Sequence, residues 1–237
     1  MATTNRLGRG TAALVTTFLL LTAGCTDDRE DGDDGDEASV EDRLAAARAT
    51  LDDAESIDFS LVTDELPSGV RGLLSAVGTG IPAPAFEGDV TVSVGTSIDA
   101  EVIALDDVVY ADSAFLPGGF TEVDPALLGA PNPADMFDTE TGVSNLLTST
   151  VDPEAGEESR DGEDILTTIS GMLPGDLVAA LIPTADETGE FAVTYRLTDD
   201  DELRDAQISG PFYGDAGDVT YDLGVDPSDE PVDIIAP

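Results

Sequence analysis

The chain has 237 residues, 51 of them Asp or Glu against nine Arg, and carries a formal net charge of −42. Such a charge repels nucleic acid and anionic surfaces, which excludes a nucleic-acid partner. There is no histidine, no lysine and one cysteine, so His-based acid–base chemistry, Ser-His-Asp and Cys-His arrangements, Schiff-base catalysis and an intramolecular disulfide are all excluded.

The N-terminus begins with Arg6 and Arg9 and continues into an apolar run from Thr11 to Thr22 that contains Leu14, Val15, Phe18, Leu19 and Leu20. A positive stretch before an apolar one is the pattern of a secretory signal. The run is about a dozen residues, whereas a helix needs roughly 20 to cross the hydrocarbon core. It ends in Leu21-Thr22-Ala23-Gly24-Cys25, which resembles a bacterial lipobox. That resemblance implies removal of 1–24 as a signal peptide and a diacylglyceryl group on the Cys25 thiol. Two or more acyl chains attach a protein stably where one holds it only marginally. The partner expected here is the cell membrane, on its extracytoplasmic (periplasmic) face. Residues 26–38, TDDREDGDDGDEA, offer nothing to bury and predict a solvated acidic tether, 25–38 in all with its lipidated cysteine.

Ser39 is placed to cap a helix over 40–55, where Val40, Leu44, Ala47, Leu51 and Ala54 recur at helical spacing. Ile57, Phe59 and Leu61 then alternate with polar residues, as a strand does. Val70, Leu73, Leu74 and Val77 predict a second helix, ended by Gly78 and Gly80. From Phe86 a run of hairpins follows. Val90, Val92 and Val94 alternate, Gly95-Thr96 turns into Ile98, Ala100, Val102 and Ala104, and Asp106-Asp107 turns into Val108-Val109-Tyr110. Asp124-Pro125 and Asn132-Pro133 each set a capping side chain before a proline at the first helical position. Val143, Leu146 and Leu147 form another helix face. Asp161-Gly162 marks a hairpin, and Leu177, Val178, Leu181 and Ile182 a helix stopped by Pro183. Strands follow at Phe191 to Leu197, Leu203 to Ile208 and Val219 to Leu223.

About ten strands and several short helices over 39–237 predict a single domain of the α+β class: a curved, meandering antiparallel sheet with helices near 40–55, 70–77, 141–149 and 175–182 over its concave apolar face. A thin cover over an aliphatic sheet either collapses into a packed core or leaves a slot that an apolar ligand fills. Alternation alone favours the packed core.

Three segments carry a resemblance: PAFEGDVTVSV at 84–94, VDPALLGAPNPADMFDTETGVSNLLTST at 123–150 and ESRDGEDILTTISGMLP at 158–174. In order and spacing they are similar to the actinobacterial LppX/LprA/LprF/LprG lipoprotein family, over roughly Val40 to Val232. The resemblance implies a half-open β-barrel of LolA/LolB-like shape around a large cavity. That cavity takes acyl chains of cell-envelope lipids or glycolipids, and a membrane lipid exporter is a possible partner of the kind some members have. The cavity lining expected is Phe59, Leu61, Val90, Val92, Val94, Val102, Leu146, Leu147, Phe191, Val193, Tyr195, Val219 and Tyr221. Each methylene left in water costs about 0.8 kcal/mol, so long chains need such a shelter to cross an aqueous gap. The role requires no catalytic residue, metal or cofactor. Arg43, Arg48, Arg71, Arg160, Arg196 and Arg204 are the cations available for a headgroup.

Two other readings remain open from the sequence. One is a non-catalytic envelope interaction lipoprotein whose sheet is filled. The other is a glycoside hydrolase, since a pair of carboxyls roughly 5 to 9.5 Å apart is the one acid–base kit this composition supplies.

Overall fold

Alternating apolar and polar residues draw most of the chain into one antiparallel sheet. The computed structural model describes residues 38–116, 118–162 and 164–237; the lipobox at Cys25 and the acidic tether lie outside the described residues. The first wing of the sheet is a meander of β1 (Ser56–Val62), β2 (Gly72–Ile81), β3 (Ala85–Ser93), β4 (Ser97–Leu105), β5 (Val108–Asp112) and β6 (Thr121–Val123). The second is β7 (Val151–Asp161), β8 (Asp164–Pro174), β9 (Glu190–Thr198), β10 (Leu203–Gly210) and β11 (Val219–Ser228). β1 pairs with β11, from Ser56↔Ser228 to Val62↔Asp222, and joins the wings into an open, curved sheet in the order β6-β5-β4-β3-β2-β1-β11-β10-β9-β8-β7. The α+β class read from the sequence is the one found.

The chain leaves one edge, β6, and returns at the other, β7. The link between them is helical cover: two 3₁₀ turns, Pro125–Leu128 and Pro133–Phe137, then α2 (Val143–Thr148). α1 (Val40–Asp53) and α3 (Gly175–Leu181) complete it. α1 forms where expected, with Ser39 Oγ accepting from the Asp42 amide at 3.1 Å, a cap worth about 1 kcal/mol. It buries Leu44, Ala47 and Leu51. Arg48 fastens it to the α2 segment, donating to Asn145 Oδ1 at 3.0 Å, Thr148 Oγ1 at 2.7 Å and the Thr139 carbonyl at 2.8 Å.

The helix expected at 70–77 is instead strand β2, paired with β1 and β3. The register shifts between Leu73 and Ser75, so apolar residues on either side of the bulge fall at helix-like spacing. Gly80 has its place in the strand because an aromatic ring crosses it: a Cβ there would lie 2.2 Å from Phe137. Phe137 belongs to a trio with Phe59 and Phe86, ring centroids 5.1 and 6.1 Å away. A second set, Phe191, Phe212 and Tyr221, packs edge to face at 4.8 Å beneath the other wing. These pairs contribute about 0.5–1.5 kcal/mol each beyond the area they bury.

The solvent side of the sheet carries a smaller apolar cluster. Ala85 and Ile103 are buried there by Ile234 from the C-terminal segment, with Ile81, Leu105, Tyr110 and Phe120 around them.

Candidate functional site

At the β3–β6 end the cover does not fill the concave face. An apolar pocket of about 200 Å³ remains. Its floor is the inner face of the sheet: Val90 and Val92 of β3, Ile98, Ala100 and Val102 of β4, Val109 and Ala111 of β5, and Val123 of β6. Its roof is Phe115, Leu116, Pro125, Leu128, Ala130, Pro131 and Pro133, and among the described residues Ser113 is its one polar side chain. Ala100 pairs with Val90 and Ala111 with Val102, so small residues leave depth between branched ones. The prolines of the roof are short and stiff, and do not reach down to fill it.

The roof is held by its backbone. Asp124 accepts from the Ala126 amide at 3.0 Å, and Asn132 from the Ala134 amide at 3.1 Å, as the two Asx-Pro pairs predicted. Asn132 also donates to the Asp106 carbonyl at 2.7 Å, which ties the roof to the β4–β5 turn. Gly129 ends the first turn at φ 71°, and a Cβ there would stand 2.7 Å from the Arg71 carbonyl oxygen. That position takes only glycine.

Of the lining expected from the sequence, the structure brings Val90, Val92 and Val102 to the pocket. Phe59, Leu61, Leu146, Leu147, Phe191, Val193, Tyr195, Val219 and Tyr221 do face inward, but α1, α2, α3 and the aromatic sets pack against them, and they stand in the solid core, not in the pocket wall. Tyr195 shows how closed this region is: its hydroxyl lies 2.9 Å from Thr150 Oγ1, and burial pushes it up from the usual phenol range. Val94 falls just past β3, at the hairpin where its amide donates to the Thr96 carbonyl. Ile98, Ala100, Val109 and Ala111 follow the same alternation as their neighbours and belong with them. The roof carries a different signal, a stretch from Pro125 to Ala134 with no charged residue in a chain that is 25% charged.

Among the described residues no charged side chain lines the pocket. Four of the arginines are held elsewhere: Arg43 by Asp201, Arg48 by Asp52, Arg196 by Asp205 and Arg204 by Asp164. A polar groove of about 500 Å³ crosses the solvent side of the sheet, bounded by Ser60, Thr194, Arg196, Asp205, Gln207 and Asp222. Its carboxylates are engaged, Asp205 by Nε and Nη2 of Arg196 and Asp222 by Gln207 at 2.9 Å. Beside the roof, burial pushes the Asp135 carboxyl up, with Asp107 and Asp138 adding repulsion. Among the described residues no group of His, Cys, Asp and Glu is arranged to hold a metal, and no helix is long and apolar enough to cross a membrane.

An open antiparallel sheet with a helical cover on one face, and an uncharged apolar pocket between the two, defines the class of protein. The match to the family model described as LppX_LprAFG lipoprotein extends over residues 39–234, and the chain belongs to that family. The lipoarabinomannan carrier protein LprG of Mycobacterium tuberculosis (strain H37Rv) is 27% identical over 117 residues, 48% of this chain and 48% of LprG. LprG of Mycobacterium bovis (strain AF2122/97) matches equally. The matched region thus spans about half the length of these curated relatives. LprF from Mycobacterium bovis superposes with a TM-score of 0.66 at 15% identity, over 84% of this chain and 96% of LprF. Lipoprotein LppX of Mycobacterium tuberculosis gives 0.58 at 16%, over 83% and 98%. At that identity the likeness is one of fold.

Proposed function

We propose that this lipoprotein binds acyl chains of cell-envelope lipids or glycolipids in the β3–β6 pocket and carries them across the periplasmic space. Residues 1–24 are its signal peptide, Cys25 its lipid anchor, 26–38 its tether and 39–237 a single lipid-binding domain. The observation that carries the reading is the pocket wall, apolar but for Ser113. Membership of a family that includes a named lipoarabinomannan carrier supports it.

The mechanism is transfer between similar environments. A chain segment leaving a bilayer for a wall of Val, Ile, Ala and Pro keeps its methylenes out of water, at about 0.8 kcal/mol each, so loading and release are nearly balanced. Direction comes from a donor, an acceptor or a membrane exporter. The pocket's volume of about 200 Å³ is below the roughly 300–1,000 Å³ of ordinary small-molecule sites. It holds part of one chain, and a larger lipid requires the roof to lift. A headgroup stays outside, since among the described residues no cation lines the pocket.

No enzymatic step is assigned. Glycoside hydrolysis needs one acid held protonated beside a second carboxylate in a cleft. Asp135 is the carboxyl pushed up, yet neither it nor its neighbours Asp107 and Asp138 lines the pocket. The core under β8–β11 is packed, as the reading of a filled envelope interaction protein expects, but that reading gives no account of the space under β3–β6. Mass spectrometry of an organic extract of the purified chain tests the proposal. Stoichiometric acylated lipid is expected, and its absence from protein purified without detergent would sink the carrier.

A further inference from the structure

The two segments that roof the pocket also expose its largest unburied apolar side chains. Phe115 lines the pocket and is still 69% exposed, and Leu127 is 74% exposed on the turn whose next residue, Leu128, also lines the pocket. Neither 113–116 nor 125–134 contains a charge, although the chain as a whole carries −42. Among the described residues, two of the three most exposed large apolar side chains thus stand on the two uncharged segments that roof an apolar pocket, and the third, Ile235, lies in the segment after β11.

We propose that Phe115 and Leu127 form an insertion rim that seats the pocket mouth in the acyl layer of a zwitterionic membrane. The inference rests on the carrier reading and gives it an entry route. A lipid tail reaches the pocket only from an apolar phase, and a rim immersed in that phase spares it the passage through water. Net charge selects the surface: an anionic bilayer repels this chain, whereas a zwitterionic one does not. A second copy is the poorer occupant. It would bring the same −42, and two side chains cover far less than the ~800 Å² per partner of a stable interface.

The chain contains no Trp, so Phe115→Trp in the full chain is a single local fluorophore. With phosphatidylcholine vesicles the emission should shift to the blue and be quenched by phosphatidylcholine brominated on its acyl chains. Leu127→Asp in the same background should weaken the effect by roughly tenfold or more, the worth of one large side chain, and vesicles rich in phosphatidylglycerol should weaken it similarly. Val77→Trp, on the solvent side of the sheet, should be neither shifted nor quenched. Absence of quenching at Phe115→Trp, or quenching unaffected by Leu127→Asp, overturns the rim. A blue shift that depends on protein concentration without vesicles also overturns it, in favour of self-association. A lipid lodged in the pocket is separated by Ala100→Phe, which fills the floor: quenching lost there leaves the carrier standing and removes the rim. Quenching that persists while extracts contain no lipid keeps the rim and removes the carrier.

Discussion

The ring of Phe137 lies so close over Gly80 that a β-carbon on Gly80 would stand 2.2 Å from it. A side chain from the cover and a bare backbone position in β2 are thereby fitted to each other within the solid core. Gly80→Ala overpacks this contact and should cost about 1–3 kcal/mol. Urea unfolding measures it; an unchanged midpoint would show that Phe137 moves aside freely.

Pocket occupancy is addressed from the floor. Val92→Trp places a large ring in a space of about 200 Å³, and Ala100→Phe does the same from a position that is only half-buried. Both should purify with several-fold less co-extracted lipid than the unaltered chain, and circular dichroism should confirm an unchanged sheet. Equal lipid content in a folded Ala100→Phe variant would place the ligand elsewhere.

Tyr195 tests the packed half. Thr150 Oγ1 donates to the Leu146 carbonyl at 2.9 Å, so its oxygen is left to accept from the Tyr195 hydroxyl. Tyr195→Phe should lose about 1 kcal/mol at neutral pH. Burial also pushes the Tyr195 and Tyr221 hydroxyls up, the latter with help from Tyr213. An unfolded tyrosine ionises near about 10, so above that pH the folded chain holds more protons than the unfolded one. Stability should be level below that point and fall as pH rises beyond it, less steeply in Tyr195→Phe. Thermal midpoints from neutral to alkaline pH decide the matter.

Asp135 has the same sense on the acid side. Burial, and then repulsion from Asp107 and Asp138, raises its carboxyl. Its ionised form therefore costs stability at neutral pH, a cost relieved as pH falls through the folded value. Asp135→Asn retains an oxygen for the Asn132 amide, which now donates to Asp135 Oδ1 at 3.2 Å. The variant should melt higher at neutral pH, with the advantage gone below about pH 4. A lower midpoint at neutral pH would mean that the carboxylate's bonds outweigh its burial.

Regular alternation made β1, β3–β5 and β9–β11 legible in the sequence, and the capping pairs at Asp124 and Asn132 were equally plain. β2 was not, because its bulge places Leu73, Leu74 and Val77 at helix spacing. The floor of the candidate pocket was legible only in part. Val90, Val92 and Val102 share their pattern with Val193 and Tyr195, and nothing local to a strand tells which stretch of inner face a helix will cover. That depends on where the link from β6 to β7 crosses the sheet. Three prolines and Gly129 hold the link above Ala100 and Ala111, whereas the side chains of α1 and α3 reach down onto the far wing.

Ile234 gives the far end of the chain a part in all this. By sealing Ala85 and Ile103 on the outer surface, it braces from behind the same strands whose other side forms the pocket floor. A tag or fusion placed directly against that residue would loosen the backing of the cradle while leaving every lining side chain intact.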